Sequence, residues 1–309
     1  MSPLLGLALL LSGGGAQAQE PPPPPIINGT TTSAWPAVGM LAVREPGTDR
    51  MSAFCSASLI ADRAVVTAAH CVEACQTYQD VGYEIDFVTG PSLEAAKGRV
   101  VATGWQAHPD FVFDATGVAA DVGVVTLRSH PDGVEPLVMH TSTLGTAWYD
   151  EDLTLVGYGV TQDDGTDAGT KRTTSLPVYD LDGDFVYALD VDNAEGSNAC
   201  SGDSGGAALR PTADGGWELV GAMSFVFAWH SDTTICLGGG TGATRLDVYG
   251  DWVATQAGLD AGGGLVGSGD GTGTFQGSDR AGGCAVAGGP AGLLLGLLGA
   301  LAMLLRRRT

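Results

Sequence analysis

Residues 198–206 carry the sequence Asn198-Ala199-Cys200-Ser201-Gly202-Asp203-Ser204-Gly205-Gly206, which places a serine among small residues, directly after an aspartate. A serine hydroxyl is a weak nucleophile unless a base removes its proton and the oxyanion that forms is stabilised. The glycines allow a sharp turn that can point neighbouring N–H groups at one spot. The same residues are also common in surface turns. The choice between nucleophile and turn depends on whether a histidine and a second aspartate occur elsewhere.

A candidate base is His70, which ends the run Val65-Val66-Thr67-Ala68-Ala69-His70-Cys71. A β-branched run that ends in small residues predicts a strand that delivers an imidazole to a loop. The remaining histidines (His108, His130, His140 and His230) have no comparable setting. Asp121 opens the apolar run Val122 to Leu127, which predicts a partly buried carboxylate that needs a partner.

Composition limits both the fold and the partners. The 309 residues can form one large all-β domain or two smaller ones. Short β-rich runs recur between Gly, Asp and Pro clusters, which predicts a sandwich or barrel. One helix is expected near Asp247 to Ala257, ending at Gly258. The formal charge of −21 argues against nucleic acid as a partner, because a polyanion would be repelled.

The first 25 residues are typical of an exported protein. Leu4 to Leu11 form a short apolar core, and Ala16-Gln17-Ala18 is a small-x-small cleavage site, so residues 1–18 are interpreted as a signal peptide. That core is too short to span a bilayer. Residues 19–25 form a proline-rich propeptide. Export predicts an oxidising compartment, in which the cysteines can form disulfides.

Three blocks resemble the catalytic blocks of the trypsin-like (chymotrypsin-fold) serine proteases, and they occur in that family's order. The blocks are Thr67-Ala68-Ala69-His70-Cys71, Asp121-Val122-Gly123-Val124-Val125 and Gly202-Asp203-Ser204-Gly205-Gly206. Ile26-Ile27-Asn28-Gly29 resembles the family's mature N-terminus. Gly157-Tyr158-Gly159 resembles its Gly-Trp-Gly turn, with Tyr in place of Trp. The resemblance covers residues 26–258 and implies an all-β fold of two six-stranded antiparallel β-barrels with a C-terminal helix.

The resemblance also implies roles for particular residues. Ser204 would be the nucleophile, His70 its general base, and Asp121 the group that orients the imidazole. The N–H groups of Gly202 and Ser204 would form the oxyanion hole. Protein or peptide substrates are implied, and no cofactor. The alternative from another class is a catalytically idle surface protein that uses the protease fold to bind a partner.

No metal site is expected. The sequence contains no zinc-ligand spacing. The acidic run Asp180-Leu181-Asp182-Gly183-Asp184 has its glycine too early for an EF-hand, so it is interpreted as a solvated loop.

The cysteines and the specificity pocket follow from the same resemblance. It implies the disulfides Cys55–Cys71 and Cys200–Cys236, while Cys75 is either free or competes with Cys71 for Cys55. The pocket floor falls at Asn198, where trypsins carry an aspartate, and the walls fall at Val226 and Thr241. Valine and threonine at the walls resemble the residues of elastases. With the neutral floor, they predict small or medium uncharged side chains before the scissile bond.

Activation departs from the family pattern at the residue before Ile26. In the family, cleavage there frees an amine that pairs with the aspartate before the catalytic serine, here Asp203. The preceding residue in this chain is Pro25, so self-activation of the trypsin kind is not expected. Either another, activating protease trims residues 19–25 or a different interaction replaces the pair.

The C-terminal region is expected to anchor the protein. Residues 259–283 are rich in Gly, Ser, Thr and Asp and predict a flexible linker. Residues 284–309 combine Cys284, an apolar stretch from Ala285 to Leu305 and an arginine cluster. The stretch is about long enough to cross a membrane, which predicts a plain anchor. The tail also resembles the sorting tails of bacterial surface proteins, particularly myxobacterial ones, in which the tail is removed and Cys284 would be lipidated.

Overall fold

The computed structural model describes residues 26–115, 117–231 and 235–259. The strands of these residues are, in chain order, β1 (Thr30–Thr31), β2 (Val38–Arg44), β3 (Met51–Ala61), β4 (Ala64–Thr67), β5 (Glu84–Thr89), β6 (Gly98–Ala107), β7 (Val112–Asp114), β8 (Gly117–Ala119), β9 (Gly123–Leu127), β10 (Val138–Met139), β11 (Asp152–Gly157), β12 (Arg172–Leu181), β13 (Phe185–Ala188), β14 (Ala207–Pro211), β15 (Trp217–Phe227) and β16 (Gly240–Arg245). The α-helices are α1 (Ala69–Asp80) and α2 (Leu246–Ala257), and a 3₁₀ helix spans Thr146–Trp148.

The first barrel closes in the strand order β2-β3-β4-β9-β6-β5. All of its ladders are antiparallel. Its interior is filled by side chains that alternate along these strands, such as Leu41, Leu59, Val65, Phe87 and Val125, all of them fully buried. Closing the sheet leaves no unpaired edge, so short strands suffice to build a stable core.

The second barrel is built from β11 to β16. Its ring runs β12-β11-β14-β15-β16-β13 and closes through the pairing of β13 with β12. These ladders are antiparallel as well. Two antiparallel six-stranded barrels therefore confirm the expected fold.

The C-terminal helix ends where the sequence predicts. α2 stops at Gly258, which adopts the left-handed conformation with φ of 72° and donates its N–H to Ala254 O and Thr255 O. Glycine is the residue that reaches this conformation without a steric penalty.

The other helix corrects the expectation for His70. The prediction of a strand leading to a loop is wrong, because β4 ends at Thr67 and α1 begins at Ala69, so His70 lies in a first helical turn. The start of α1 has no side-chain cap and no acidic residue in its first turn. Its formation depends instead on burying Ala69, Cys71 and Val72 against the first barrel.

Several predictions concern residues outside the described ranges. These are the signal peptide (1–18), the propeptide (19–25), nearly all of the linker (259–283) and the tail (284–309) with Cys284. Among the described residues, neither α-helix has the length and apolar character that crossing a membrane requires.

Candidate active site

Three chain segments from the two barrels bring the candidate catalytic residues together. His70 stands at the start of α1, directly after β4. Asp121 lies just before β9, and β9 pairs with β4, so the ladder places the aspartate beside the histidine. Ser204 comes from the loop before β14 of the second barrel, and its carbonyl oxygen accepts a 2.8 Å hydrogen bond from Ser56 N in the first.

Asp121 holds His70 at two points. The backbone N–H of His70 donates to Asp121 Oδ1 at 3.0 Å, and His70 Nδ1 lies 2.8 Å from Asp121 Oδ2. Asp121 is fully buried. Burial acts to raise the pKa of Asp121, but the facing His70 and the hydrogen bonds from His70 and Ser224 outweigh it, so this pKa lies below its ordinary value. An ionised carboxylate at Nδ1 favours the tautomer whose Nε2 is free to accept a proton.

Two residues of the second barrel also donate hydrogen bonds to Asp121. Ser224 Oγ, on β15, donates to Asp121 Oδ2 at 2.5 Å, and Thr244 Oγ1, on β16, donates to the Asp121 carbonyl at 2.7 Å. The sequence analysis identified neither Ser224 nor Thr244 as a partner of Asp121. Both are separated from Asp121 by more than 100 residues, so no local pattern could have revealed the contacts.

Residues 200–206, which carry Ser204 and are called the serine loop here, leave two backbone N–H donors free. Gly202 adopts φ of 94°, a conformation that favours glycine. In the described part of the chain, the N–H groups of Gly202 and Ser204 have no acceptor, whereas Asp203 N donates to Cys200 O at 3.0 Å and Gly205 N to Met223 O at 2.6 Å. Two free N–H groups beside the candidate nucleophile are the feature that an oxyanion hole requires.

The Ser204 hydroxyl makes no hydrogen bond to His70 among the described residues. Such contacts are often long in free enzymes and shorten when the substrate binds. The backbone of Ser204, the candidate nucleophile, is nonetheless fixed next to His70. Ser56 N holds Ser204 O, and Cys55 is joined by a disulfide to Cys71, the residue after His70.

Ser56 connects the two barrels at this point. Its Oγ donates to Gly202 O at 2.9 Å and accepts from Tyr158 N at 3.0 Å. Its carbonyl accepts from Thr67 Oγ1 at 2.8 Å. One fully buried serine of the first barrel thus contacts the serine loop and the Gly157-Tyr158-Gly159 turn of the second.

Tyr158 takes the place of the tryptophan expected in that turn. Its hydroxyl reaches Val38 O at 3.1 Å and Gly90 O at 2.7 Å, and the side chain is fully buried. The phenol therefore fills an interior site, and its single O–H is shared between two carbonyls of the first barrel, with Gly90 O the nearer acceptor.

Asp203 is buried against the same turn. Its Oδ1 accepts from Gly159 N at 2.7 Å and its Oδ2 from Cys200 N at 2.9 Å. A Cβ atom at Gly157 would lie 2.2 Å from Asp203 Oδ1, so only glycine, which has no side chain, fits at this position of the turn. Burial raises the pKa of Asp203 to about 6, although the two N–H groups and the charge of Arg172 act to lower it.

The segment that carries Ile26 lies inside the fold. Ile26 is fully buried, and Ile27 O accepts a 3.1 Å hydrogen bond from Asn198 N. The segment after Pro25 is thus packed beside the residues that lead into the serine loop.

The three predicted pocket residues form one cluster. Val226 on β15 pairs with Thr241 on β16. Asn198 is fully buried, where its Oδ1 accepts from Thr241 Oγ1 at 2.5 Å and its Nδ2 donates to Gly240 O at 3.3 Å. The polar atoms of Asn198 and Thr241 therefore satisfy each other and carry no net charge.

The cysteines are arranged as the resemblance implies. The structure contains the Cys55–Cys71 and Cys200–Cys236 disulfides. Cys75 is free and buried within α1, and burial raises the pKa of its thiol to about 12. Of the two possibilities left open, the structure therefore has Cys75 unpaired.

Comparison with known proteins agrees with this architecture. A model of the Trypsin family matches residues 26–253. The chain is 29% identical over 214 residues to chymotrypsin-like elastase family member 3B of Homo sapiens, covering 64% of this chain and 76% of that protein. It is 29% identical over 212 residues to proproteinase E of Bos taurus (64% and 81%), and 26% identical over 251 residues to the proclotting enzyme of Tachypleus tridentatus (72% and 62%). The chain therefore belongs to the trypsin family and is a serine endopeptidase.

Proposed function

We propose that this endopeptidase works through Ser204, His70 and Asp121. His70 Nε2 takes the proton of Ser204 Oγ as the hydroxyl attacks the carbonyl carbon of the scissile peptide. The imidazolium that forms is stabilised by Asp121 and then protonates the leaving amine. A water molecule, deprotonated by His70, then attacks the carbonyl carbon of the acyl-enzyme. This step releases the second product and returns the proton to Ser204. The observation that carries this proposal is the fully buried Asp121 bonded to both His70 N and His70 Nδ1.

The oxyanion of each tetrahedral intermediate would be held by the N–H groups of Gly202 and Ser204. Both donors are free in the described structure, and each is worth about 3–4 kcal/mol of transition-state stabilisation in enzymes of this kind. Because the loop is fixed by Ser56 and by Asp203, these donors need no rearrangement when the charge develops.

Covalent labelling tests the assignment of the nucleophile. A fluorophosphonate probe should label the wild-type protein, and the label should map to Ser204 by mass spectrometry. Ser204→Ala should abolish both labelling and peptide cleavage, whereas Ser201→Ala, three residues away and exposed, should retain both. A wild-type protein that is processed at Ile26 but takes no label would favour the idle binding protein instead.

We infer a preference for small or medium uncharged residues before the scissile bond. Asn198, Val226 and Thr241 present no charge to pair with Arg or Lys. The β-branched side chains of Val226 and Thr241, on paired positions of β15 and β16, would restrict the space for a large side chain. The name of one relative includes the word elastase, which agrees with this inference.

A peptide-library profile tests the preference. Cleavage after Ala, Val or similar residues is expected, and a profile dominated by Arg, Lys or Tyr would contradict it. Replacing both Val226 and Thr241 by glycine should open the pocket and shift cleavage toward Phe. Burying a Phe side chain is worth about 1.5–3 kcal/mol, so its kcat/KM should rise by about 10- to 100-fold.

Activation is proposed to follow cleavage before Ile26 by another protease. The freed amine of Ile26 would pair with Asp203, whose carboxylate is buried. Ile27 O is hydrogen-bonded to Asn198 N, which lies five residues before Asp203 in the chain. The names proproteinase E and proclotting enzyme show that relatives of this chain are made as precursors. N-terminal sequencing of the active protein should give Ile26, and an active form that begins elsewhere would contradict the pairing.

The site of action is proposed to be the cell surface. The two disulfides are typical of proteins from oxidising compartments, which supports export by residues 1–18. The tail at 284–309 would then hold the enzyme at the membrane, with Cys284 lipidated if the tail is removed. Fractionation with mass spectrometry of the mature C-terminus tests this: a protein that keeps Arg306 to Arg308 excludes the sorting tail, and one found only in the medium contradicts anchoring.

A further inference from the structure

The bond before Ile26 has a proline on its amino side. Pro25 is the last residue of the proline run 21–25. Proline has no backbone N–H, and its ring fixes φ at about −65°. A protease that binds its substrate backbone as an added strand therefore loses the hydrogen bond that this residue would donate, and its pocket must accept a five-membered ring. An endopeptidase of ordinary specificity is consequently a poor candidate for cutting this bond.

The proline run contains one bond that differs from the rest. The four bonds inside residues 21–25 join proline to proline, so the nitrogen on the carboxyl side of each bond belongs to a ring and carries no hydrogen. The Pro25–Ile26 bond instead joins proline to a residue with an ordinary N–H. An endopeptidase that cuts after proline, and requires an ordinary residue behind the cut, finds a single site at the end of this run.

The backbone of Ile26 explains why the cut has to fall at this bond. Ile26 is fully buried and adopts φ of 44°, a left-handed conformation that a β-branched residue rarely adopts. This torsion angle is defined by the carbonyl carbon of Pro25, so the strain exists only while the Pro25–Ile26 bond is whole. A cut further upstream leaves that carbonyl in place and frees no amine at Ile26. Only hydrolysis of this one bond removes the strain and creates the amine together.

The residues after Ile26 fix the register of the segment. Ile27 O accepts a 3.1 Å hydrogen bond from Asn198 N. Asn28 Nδ2 donates to Glu195 O at 2.7 Å. These contacts prevent the segment from sliding, so a chain that begins one residue earlier or later cannot place its amine where that of Ile26 lies. The activating enzyme must therefore cut with single-residue accuracy.

Stepwise trimming from the amino end does not meet this requirement. With the proposed signal peptide removed, seven residues (19–25) precede Ile26. A peptidase that releases dipeptides produces chains that begin at residues 21, 23, 25 and 27, and never at Ile26. A peptidase that releases single residues has to cut four successive proline–proline bonds and then stop. A single internal cut is the simpler route to the required terminus.

We propose that this protease is activated by an endopeptidase selective for the carboxyl side of proline, which hydrolyses the Pro25–Ile26 bond in one step. The inference rests on the proposed role of the Ile26 amine, and it names the class of enzyme that must act before this one. In the reaction a water molecule adds to the carbonyl carbon of Pro25 and the C–N bond breaks. Pro25 keeps the new carboxylate, and the Ile26 nitrogen leaves as an amine that is largely protonated at neutral pH.

The first test uses the full uncleaved chain as Ser204→Ala, which cannot cut itself. A purified post-proline endopeptidase that acts on intact proteins should produce a chain whose N-terminal sequence begins at Ile26. Pro25→Ala in the same background should be cut there at least about 10-fold more slowly. Pro22→Ala is the matched control, because it changes a proline of the same run and leaves the scissile bond as it is, and it should be cut at the parent rate. Incubation with active wild-type enzyme should produce no cut at this bond.

Activity provides the second readout. With Ser204 intact, the same cut should raise kcat/KM on an uncharged peptide by at least about 100-fold, because loss of one oxyanion donor costs about 100- to 1,000-fold. In the cells that make the protein, Pro25→Ala should accumulate as a chain that begins before Ile26, whereas Pro22→Ala should mature at Ile26 like the wild type.

Pro25→Arg separates this inference from the proposed function. A trypsin-like protease should cut after the introduced arginine and free the same Ile26 amine. The product should take the fluorophosphonate label and have the activity of the cleaved wild type. A post-proline endopeptidase should leave this variant uncut at residue 25.

Several outcomes overturn the inference. They are an uncut Ser204→Ala chain, a cut at a different bond of residues 19–25, cutting by the active wild-type enzyme, and a Pro25→Ala protein that matures at Ile26 at the wild-type rate. In each case a Pro25→Arg protein that is cut, labelled and active leaves the proposed function intact. A Pro25→Arg protein that begins at Ile26 but takes no label refutes that function itself.

Discussion

The burial of Asp203 leads to a quantitative prediction about stability. In the uncleaved chain the folded protein binds a proton at Asp203 with a pKa of about 6, against an ordinary value of 3.8. The folded state therefore holds this proton more tightly than the unfolded state does. The stabilisation is fully present below about pH 4 and is lost as pH rises through about 6. A difference of about 2 pH units corresponds to about 3 kcal/mol of unfolding free energy.

The perturbation that isolates this effect is Asp203→Asn, made in a Ser204→Ala background so that no self-digestion occurs. Asparagine does not titrate, so only the parent should lose this stabilisation between pH 4 and pH 7.5. Asp121, with its lowered pKa, gives the opposite pH dependence, but it is present in both proteins and cancels in the difference. Urea unfolding at both pH values gives the two unfolding free energies.

The expected result is that the parent loses about 2.4 kcal/mol relative to Asp203→Asn between the two pH values, because part of the full effect of about 3 kcal/mol lies below pH 4. A relative change below about 0.5 kcal/mol would refute the argument that burial governs this carboxyl. Cleavage before Ile26 provides a second check. An amine paired with Asp203 favours the ionised carboxylate, so the relative loss should disappear or change sign in the cleaved form.

Three further predictions concern the surroundings of the site. Ser224→Ala removes one of the hydrogen bonds to Asp121 Oδ2 and should lower kcat by about tenfold, or about 1.4 kcal/mol, with KM little changed; an unchanged kcat would show that His70 alone fixes the carboxylate. Tyr158→Phe leaves Val38 O and Gly90 O without their buried donor and should lower the unfolding free energy by about 1–2 kcal/mol, measured by urea denaturation against Tyr149→Phe, whose hydroxyl is on the surface. The Cys75 thiol is buried, and burial raises its pKa to about 12. It should therefore not react with a thiol reagent in the folded protein but should react once the protein is unfolded. Rapid labelling of the native protein would contradict the burial.

The sequence was sufficient for the parts of the protein that are locally encoded. The β-branched run before His70 and the apolar run after Asp121 become the paired strands β4 and β9. The helix that stops at Gly258 follows from glycine at its C-terminus. The two disulfides and the two-barrel fold came from the family resemblance, and local pattern alone led only to a sandwich or barrel.

The remaining features depend on how the barrels pack. α1 has no capping signal, and its helix forms because Cys71 and its neighbours are buried against the first barrel. The contacts of Ser224 and Thr244 with Asp121 join residues 103 and 123 positions apart. The hydrogen bond between Asn198 and Thr241 spans 43 positions. Such contacts are decided by the geometry of two closed sheets and have no signature in any short window of sequence.

Ser56 couples the chemistry to the folding of the whole domain. Its backbone and side chain belong to the first barrel, yet they hold the carbonyls of Ser204 and Gly202 and the N–H of Tyr158 in the second. A chain with only one folded barrel therefore lacks the contacts that fix Ser204, the proposed nucleophile, and Gly202, which is proposed to help bind the oxyanion. Protease activity should appear together with the last cooperative folding step, so that a half-folded chain cannot digest its neighbours.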